Sequence, residues 1–148
     1  MFNNILVVCV GNICRSPMAE VLFKDALLKI NQNNCSVLSA GIGALVGHKA
    51  DEKAVKLMLA RGLDISGHRA TQLNTQMIRK ADLILVMELT HKIDIENTEP
   101  SAKGKVFRLG EWGGYDINDP YQLDLAAFES VLVQIDQGVN QWVKKLYQ

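Results

Sequence analysis

A single α/β domain built around a mostly parallel sheet is predicted by three observations. Short β-rich apolar runs recur along the 148 residues, helical segments separate them, and glycine-containing turns mark the exchanges. A chain of this length is expected to fold around one core, burying about 70% of the surface its unfolded form exposes.

The elements follow in order. "NILVVCV" (4–10) is an unbroken apolar run, as suits a strand covered on both faces. It leads through Gly11 to Ser16 into a helix, for which Pro17 suits the first position and Met18, Val21, Leu22, Ala26, Leu27 and Ile30 form the apolar residues. "CSVLSAG" (35–41) reads as a second strand, Glu52 to Arg61 as a helix closed by Gly62, "DLILVM" (82–87) as a third strand and "GKVFRLG" (104–110) as a fourth. Phe128, Val131, Leu132, Ile135, Val139, Trp142, Val143 and Leu146 recur at spacings of three and four and mark a long C-terminal helix. The expected architecture is a three-layer domain over 1–148, with a central four-stranded parallel sheet flanked by helices. No repeat or linker divides the chain, and "GEWGGYDINDPYQ" (110–122) is the stretch poorest in regular pattern, a candidate functional loop.

Composition narrows the function. Sixteen basic and sixteen acidic residues give a formal net charge of zero, without the basic cluster that nucleic acid requires. The opening "MFNNILVVCV" has no positive region, and its apolar run is too short for a signal core or a membrane span. A cytoplasmic protein without membrane insertion is expected. Three cysteines argue against a disulfide framework and leave metal binding or thiol chemistry. The spacing of His48, His68 and His91 relative to the cysteines matches no common zinc pattern, so neither a metal nor another cofactor is expected.

Thiol chemistry has a specific place. Cys9 falls where the first strand ends and Arg15 where the helix begins, so Val10, Gly11, Asn12, Ile13 and Cys14 form the strand-to-helix turn whose amides face the crevice beyond the sheet. Such a turn wraps as an anion-binding nest. The helix N-terminus, the nest and the Arg15 guanidinium all favour an anionic sulfur at Cys9. Because the fork of Arg15 matches two oxygens of a tetrahedral dianion, the loop can hold a phosphoryl group with sulfur in line for attack. The leaving oxygen then needs a proton. Asp116, Asp119 and Asp124 are all candidates, with Pro120 favouring Asp119 only by fixing the chain locally.

Cys-x5-Arg-Ser is common to cysteine-dependent phosphatases, but the longer string "CVGNICRSP" (9–17) is narrower. With "SAG" (39–41), "GIGALVG" (41–47), "GHRATQL" (67–73), "DLILVME" (82–88) and "DPY" (119–121), the chain resembles the low-molecular-weight protein tyrosine phosphatases, bacterial branch, over nearly its whole length. The resemblance implies that Cys9 is the nucleophile, Arg15 and the loop amides the phosphate ligands, and Asp119 the general acid and then base. It implies that Ser16 supports the sulfur and that Asn12, in a left-handed conformation, is tied to Ser16, Ser39 and His68. Asparagine tolerates such a backbone better than most residues. Tyr121 and Leu45 are the implied walls of the substrate cleft, while Gln122 stands where many eukaryotic relatives carry a second aromatic residue. The bacterial branch further implies a phosphotyrosine protein as partner, the tail of a tyrosine autokinase of capsule or exopolysaccharide export.

Other readings compete with this one. Cys14 is either core packing or a partner that traps an oxidised Cys9 as a disulfide, and Cys35 reads as core. Tyr115 and Tyr121 are themselves candidate phosphorylation sites. Arsenate reductases with a related loop need redox cysteines well downstream, and none follows Cys35 here. A non-catalytic oxyanion-binding module would be expected to lack the nucleophile or the acid.

Overall fold

The structure is a computed structural model that describes residues 2–147. Four parallel strands, β1 (Asn4–Cys9), β2 (Ser36–Gly41), β3 (Leu83–Val86) and β4 (Val106–Arg108), lie in the order β2-β1-β3-β4. Register runs from Asn4 opposite Ser36 to Cys9 opposite Gly41, while Ile5 to Val8 face Leu83 to Val86 on the other side. The helices are α1 (Arg15–Lys29), α2 (Glu52–Leu59), α3 (Thr75–Lys80), α4 (Leu89–Thr98) and α5 (Leu125–Tyr147).

The apolar runs are unbroken because both faces of the sheet are covered. Ile5, Val7, Leu83 and Leu85 pack with α1, α2 and α5 through Met18, Phe23, Met58, Phe128 and Ile135. Leu6, Val8, Ile84 and Val86 pack on the opposite face with Ile78 of α3 and Ile95 of α4. Strand residues alternate between these clusters, as a pleated strand requires. On the α5 stripe, Phe128, Val131, Ile135, Val139 and Trp142 are buried, and Trp112 packs edge-on against Trp142 with centroids 5.2 Å apart.

The structure corrects the expected elements in places. The first helix begins at Arg15 and places Pro17 within its first turn, and it buries Phe23 rather than Ile30, which lies beyond its end. The second helix stops at Leu59, with Gly62 at φ +75 closing the turn beyond it. Helices α3 and α4 were not anticipated from the sequence pattern. Tyr115, a candidate for phosphorylation, donates its hydroxyl to the Gln134 carbonyl at 2.8 Å, which ties it to α5.

The topology decides where a ligand can sit. From β1 the chain crosses to β2 on one side and later returns to β3 on the other, so the segments after β1 and β3 diverge. A crevice opens beyond the carboxyl ends of strands at such a point. Cys9 closes β1 at that crevice, and Glu88 follows β3 into it.

Candidate active site

The turn from Cys9 to Cys14 is shaped by where its carbonyls go. Those of Cys9, Val10 and Gly11 accept the amides of Ile42, Gly43 and Leu45 at 2.9, 3.0 and 3.1 Å. Those of Ile13 and Cys14 accept Asp51 N and Met18 N at 2.8 and 3.4 Å. The Asn12 carbonyl takes His68 Nε2 at 2.7 Å, and because a carbonyl only accepts, that nitrogen carries the proton. With six successive carbonyls bonded outward, the peptide planes turn their N–H groups toward the concave side, which is the geometry of an anion nest. Gly41 permits this wrapping: a Cβ there would lie 2.4 Å from the Val10 carbonyl oxygen.

Asn12 holds the turn from inside. It is fully buried at φ +58. Its Oδ1 accepts Thr71 N at 2.9 Å, which fixes the amide orientation, and Nδ2 donates to Ser16 Oγ at 2.7 Å and to Ser39 Oγ at 3.0 Å. Ser39 passes its own proton to Glu20 Oε1 at 2.6 Å. Since Ser16 Oγ already accepts from Asn12, its hydroxyl proton is free for Cys9 Sγ, 2.9 Å away.

Arg15 is 1% exposed, and one corner of its guanidinium is committed to protein. Nη1 donates to Glu88 Oε2 at 2.6 Å and to the Ile117 carbonyl at 2.8 Å. Nη2 lies 3.7 Å from Asp119 Oδ2, and Nε is buried with no partner among the described residues. An unpaired buried guanidinium N–H costs about 1–3 kcal/mol or more. An oxyanion in the cavity would remove that cost.

The three candidate acids separate by their duties. Asp116 Oδ1 accepts Leu89 N at 3.1 Å and Arg108 Nη1 at 3.2 Å, which makes it a brace. Asp124 Oδ1 accepts Ala127 N at 3.0 Å and caps α5. Asp119 faces the cavity, with Oδ1 accepting only the local Tyr121 amide at 3.1 Å among the described residues.

A cavity of about 140 Å³ brings these groups together: Cys9, Cys14 and Arg15 at its base, the loop residues Val10, Gly11 and Ile13 beside them, Gly43 and Leu45 on one wall, Asp119 and Tyr121 on the other. Asn12, Ser16, Ser39 and His68 lie behind the loop as its support. Tyr121 is 42% exposed at the rim. Burial pushes the Cys14 thiol well above the ordinary range, reinforced by Asp51, Asp119 and Cys9 and opposed by Arg15. Cys35 lies at the start of β2, at the opposite end of the sheet from Cys9. A second hollow of about 250 Å³, lined by residues of β1, β2 and α3 such as Leu6, Ser36, Leu38, Met77 and Lys80, contains none of the residues of this cavity.

Sequence reasoning missed Glu88, the Ile117 carbonyl, Thr71, Glu20 and Gly43. For Glu88 a signal was present: it is an acid just past the third strand, at the same end of the sheet as Arg15.

Comparison with known proteins agrees with the geometry. A family model described as low molecular weight phosphotyrosine protein phosphatase matches residues 4–148. A relative from Ralstonia solanacearum, probable low molecular weight protein-tyrosine-phosphatase EpsP, is 51% identical over 99% of this chain and 97% of its own. Among solved structures, the tyrosine phosphatase Wzb from Escherichia coli K30 in complex with sulphate superposes with a TM-score of 0.91 at 41% identity, covering 99% of each chain. The YwlE arginine phosphatase from Geobacillus stearothermophilus superposes at 0.89 with 31% identity, covering 97% of this chain and 92% of its own.

Proposed function

The chain belongs to the low molecular weight phosphotyrosine protein phosphatase family, and from that premise we propose that it hydrolyses phosphotyrosine in proteins through a phosphocysteine intermediate. The observation that carries the reading is the convergence of Cys9, the uncommitted edge of Arg15 and Asp119 on one cavity. Arg15 Nε and Nη2, with the loop amides, bind the three non-bridging phosphoryl oxygens. The dianion takes over Nη2, and the adjoining Asp119 enters as the acid.

Cys9 Sγ attacks phosphorus, the bond from phosphorus to the tyrosyl oxygen breaks, and Asp119 gives that oxygen its proton. Water then attacks the phosphocysteine, Asp119 takes the water proton back, and the sulfur leaves as thiolate. Tyrosine and inorganic phosphate are the products. Ser16, donating to sulfur, stabilises the thiolate both before attack and as it leaves.

The cavity walls favour an aryl ester over a phosphorylated guanidinium. Val10, Ile13, Leu45 and Tyr121 offer apolar surface to a ring, whereas a guanidinium would surrender its hydration with Asp119 as the one acid on that lining. The physiological partner proposed is the phosphorylated tail of a tyrosine autokinase of polysaccharide export, which the likeness to the bacterial branch supports. The cytoplasmic face is where such a tail would be met, and no helix among the described residues is long and apolar enough to cross a membrane. The test compares turnover of a phosphotyrosine peptide and a phosphoarginine peptide, with chelator present. Faster release of phosphate from the tyrosine peptide is expected, and a preference for phosphoarginine overturns the assignment.

A further inference from the structure

The mechanism leaves His91 unused, yet His91 is 5% exposed in the first turn of α4. A buried imidazole usually finds partners at both ring nitrogens. Here Nε2 lies 3.4 Å from Glu88 Oε2, while Nδ1 is buried with no partner among the described residues. The oxygen that faces Nε2 is the one that accepts Arg15 Nη1 at 2.6 Å. The Arg15 hydrogen bond from α1 and the His91 ring from α4, the latter at 3.4 Å and without an aligned hydrogen bond in this structure, therefore meet at a single carboxylate oxygen.

Glu88 has another place to go. It occupies the N-cap position of α4 but its side chain makes no cap hydrogen bond. A carboxylate at that position ordinarily turns back onto the amides of the first helical turn. It is 29% exposed, so water also competes for it. The 2.6 Å ion pair with Arg15 draws it away from those amides, and the ring three residues further on is in position to add to that hold.

The protonation state fits. Burial pushes the His91 pKa below the usual histidine value, opposed by the carboxylates of Glu88, Asp94 and Asp116 and reinforced by Arg15. The ring is then neutral near pH 7. Because a carboxylate only accepts, its single proton sits on Nε2, facing Glu88.

We propose that His91 is a positioning residue of the phosphatase reaction: its Nε2–H holds the Glu88 carboxylate on the Nη1 corner of Arg15, which leaves Nε and Nη2 aimed at the phosphoryl oxygens. This rests on the function proposed above, since Arg15 matters to turnover only if phosphate binds there. An apolar side chain at position 91 would pack without an orphaned nitrogen. The imidazole therefore serves the orientation of Arg15 at the expense of packing.

The test measures kcat and KM for para-nitrophenyl phosphate, Kd for inorganic phosphate by calorimetry, and Tm, in wild type, His91→Leu, His91→Gln, Glu88→Gln and the Glu88→Gln/His91→Leu double variant. His91→Leu is expected to lose about tenfold in kcat/KM and a similar factor in phosphate affinity, while Tm holds or rises. His91→Gln, whose amide nitrogen reaches the place of Nε2, recovers most of that loss. In the Glu88→Gln background, His91→Leu changes kcat/KM by less than about twofold, because the carboxylate it positions is gone.

Equal losses for His91→Leu and His91→Gln overturn the proposal, as does an undiminished loss in the Glu88→Gln background. If His91→Leu does not fold, His91→Gln is compared with His91→Asn, whose amide reaches only the place of Nδ1. Equal activity of those two also overturns it. A wild type that binds phosphate but does not turn over the ester defeats the phosphatase reading alone, and the phosphate affinities of the same variants still decide what His91 does for Arg15.

Discussion

The two loops that meet across the cavity are held by different means. Residues 9–14 have all six carbonyls bonded outward, with Asn12 buried between Ser16, Ser39 and Thr71. Residues 110–122 are fastened mainly below the site, where Ile117 N donates to the Met87 carbonyl at 2.9 Å, Ile117 O takes Arg15, and Asp116 meets Leu89 and Arg108. Beyond Ile117, Asp119 and Tyr121 reach the cavity from exposed chain. The proposed phosphate cradle is thus held by bonds within the protein, which is what stabilising developing charge requires. Asp119, the proposed acid, stands on the more exposed side of the cavity.

That contrast sets the order of expected effects. Cys9→Ser removes the nucleophile and leaves the cradle intact. It should lower kcat by at least about 10⁴-fold, with inorganic phosphate affinity by calorimetry within a few-fold of wild type. Turnover near the wild-type rate would end the assignment of Cys9.

Asp119→Ala acts from the opposite loop. It should reduce kcat by about 10²- to 10³-fold for a phenyl phosphate and by much less for an ester whose leaving group departs without a proton. Equal losses across a series of aryl phosphates would show that Asp119 is not the proton donor.

Gly41→Ala probes the rigid side without touching a reacting group. The added methyl must displace the Val10 carbonyl, which would lie 2.4 Å from it. A loss of about 2 kcal/mol in unfolding free energy and a weaker phosphate affinity are expected together. Unchanged phosphate binding would mean that the cradle does not depend on this close approach.

Tyr121→Ala probes the exposed side. A ring partner worth about 1 kcal/mol predicts a rise in KM of roughly fivefold for a phosphotyrosine peptide, with kcat changed by less than about twofold. A fall in kcat with KM unchanged would instead assign Tyr121 to transition-state support.

The same contrast governs what could be read from sequence. The proposed cradle was legible because Cys9, Arg15 and Ser16 fall within eight residues of one another, and a strand-to-helix turn fixes their relation locally. The α5 stripe was legible because its buried residues keep helical spacing over 23 residues. Helix α3 spans six residues and buries Ile78 alone, and α4 buries only His91 and Ile95 while half-exposing Leu89 and Ile93, so neither shows an apolar period. Residues alone left Asp116, Asp119 and Asp124 undistinguished: the brace partner Leu89 lies 27 positions from Asp116, while the local cap of Asp124 on Ala127 was a signal not used. Glu88 acts on Arg15 across 73 positions, a relation set by two neighbouring strands rather than by any local motif.

The central claim, that phosphate is transferred to Cys9, is tested most directly by rapid acid quench of wild type during turnover of a ³²P-labelled aryl phosphate, followed by peptide mapping. Label on the peptide containing Cys9, present in wild type and absent in Cys9→Ser, is the expected result. Rapid turnover with no labelled protein, or label on a peptide without Cys9, would contradict it.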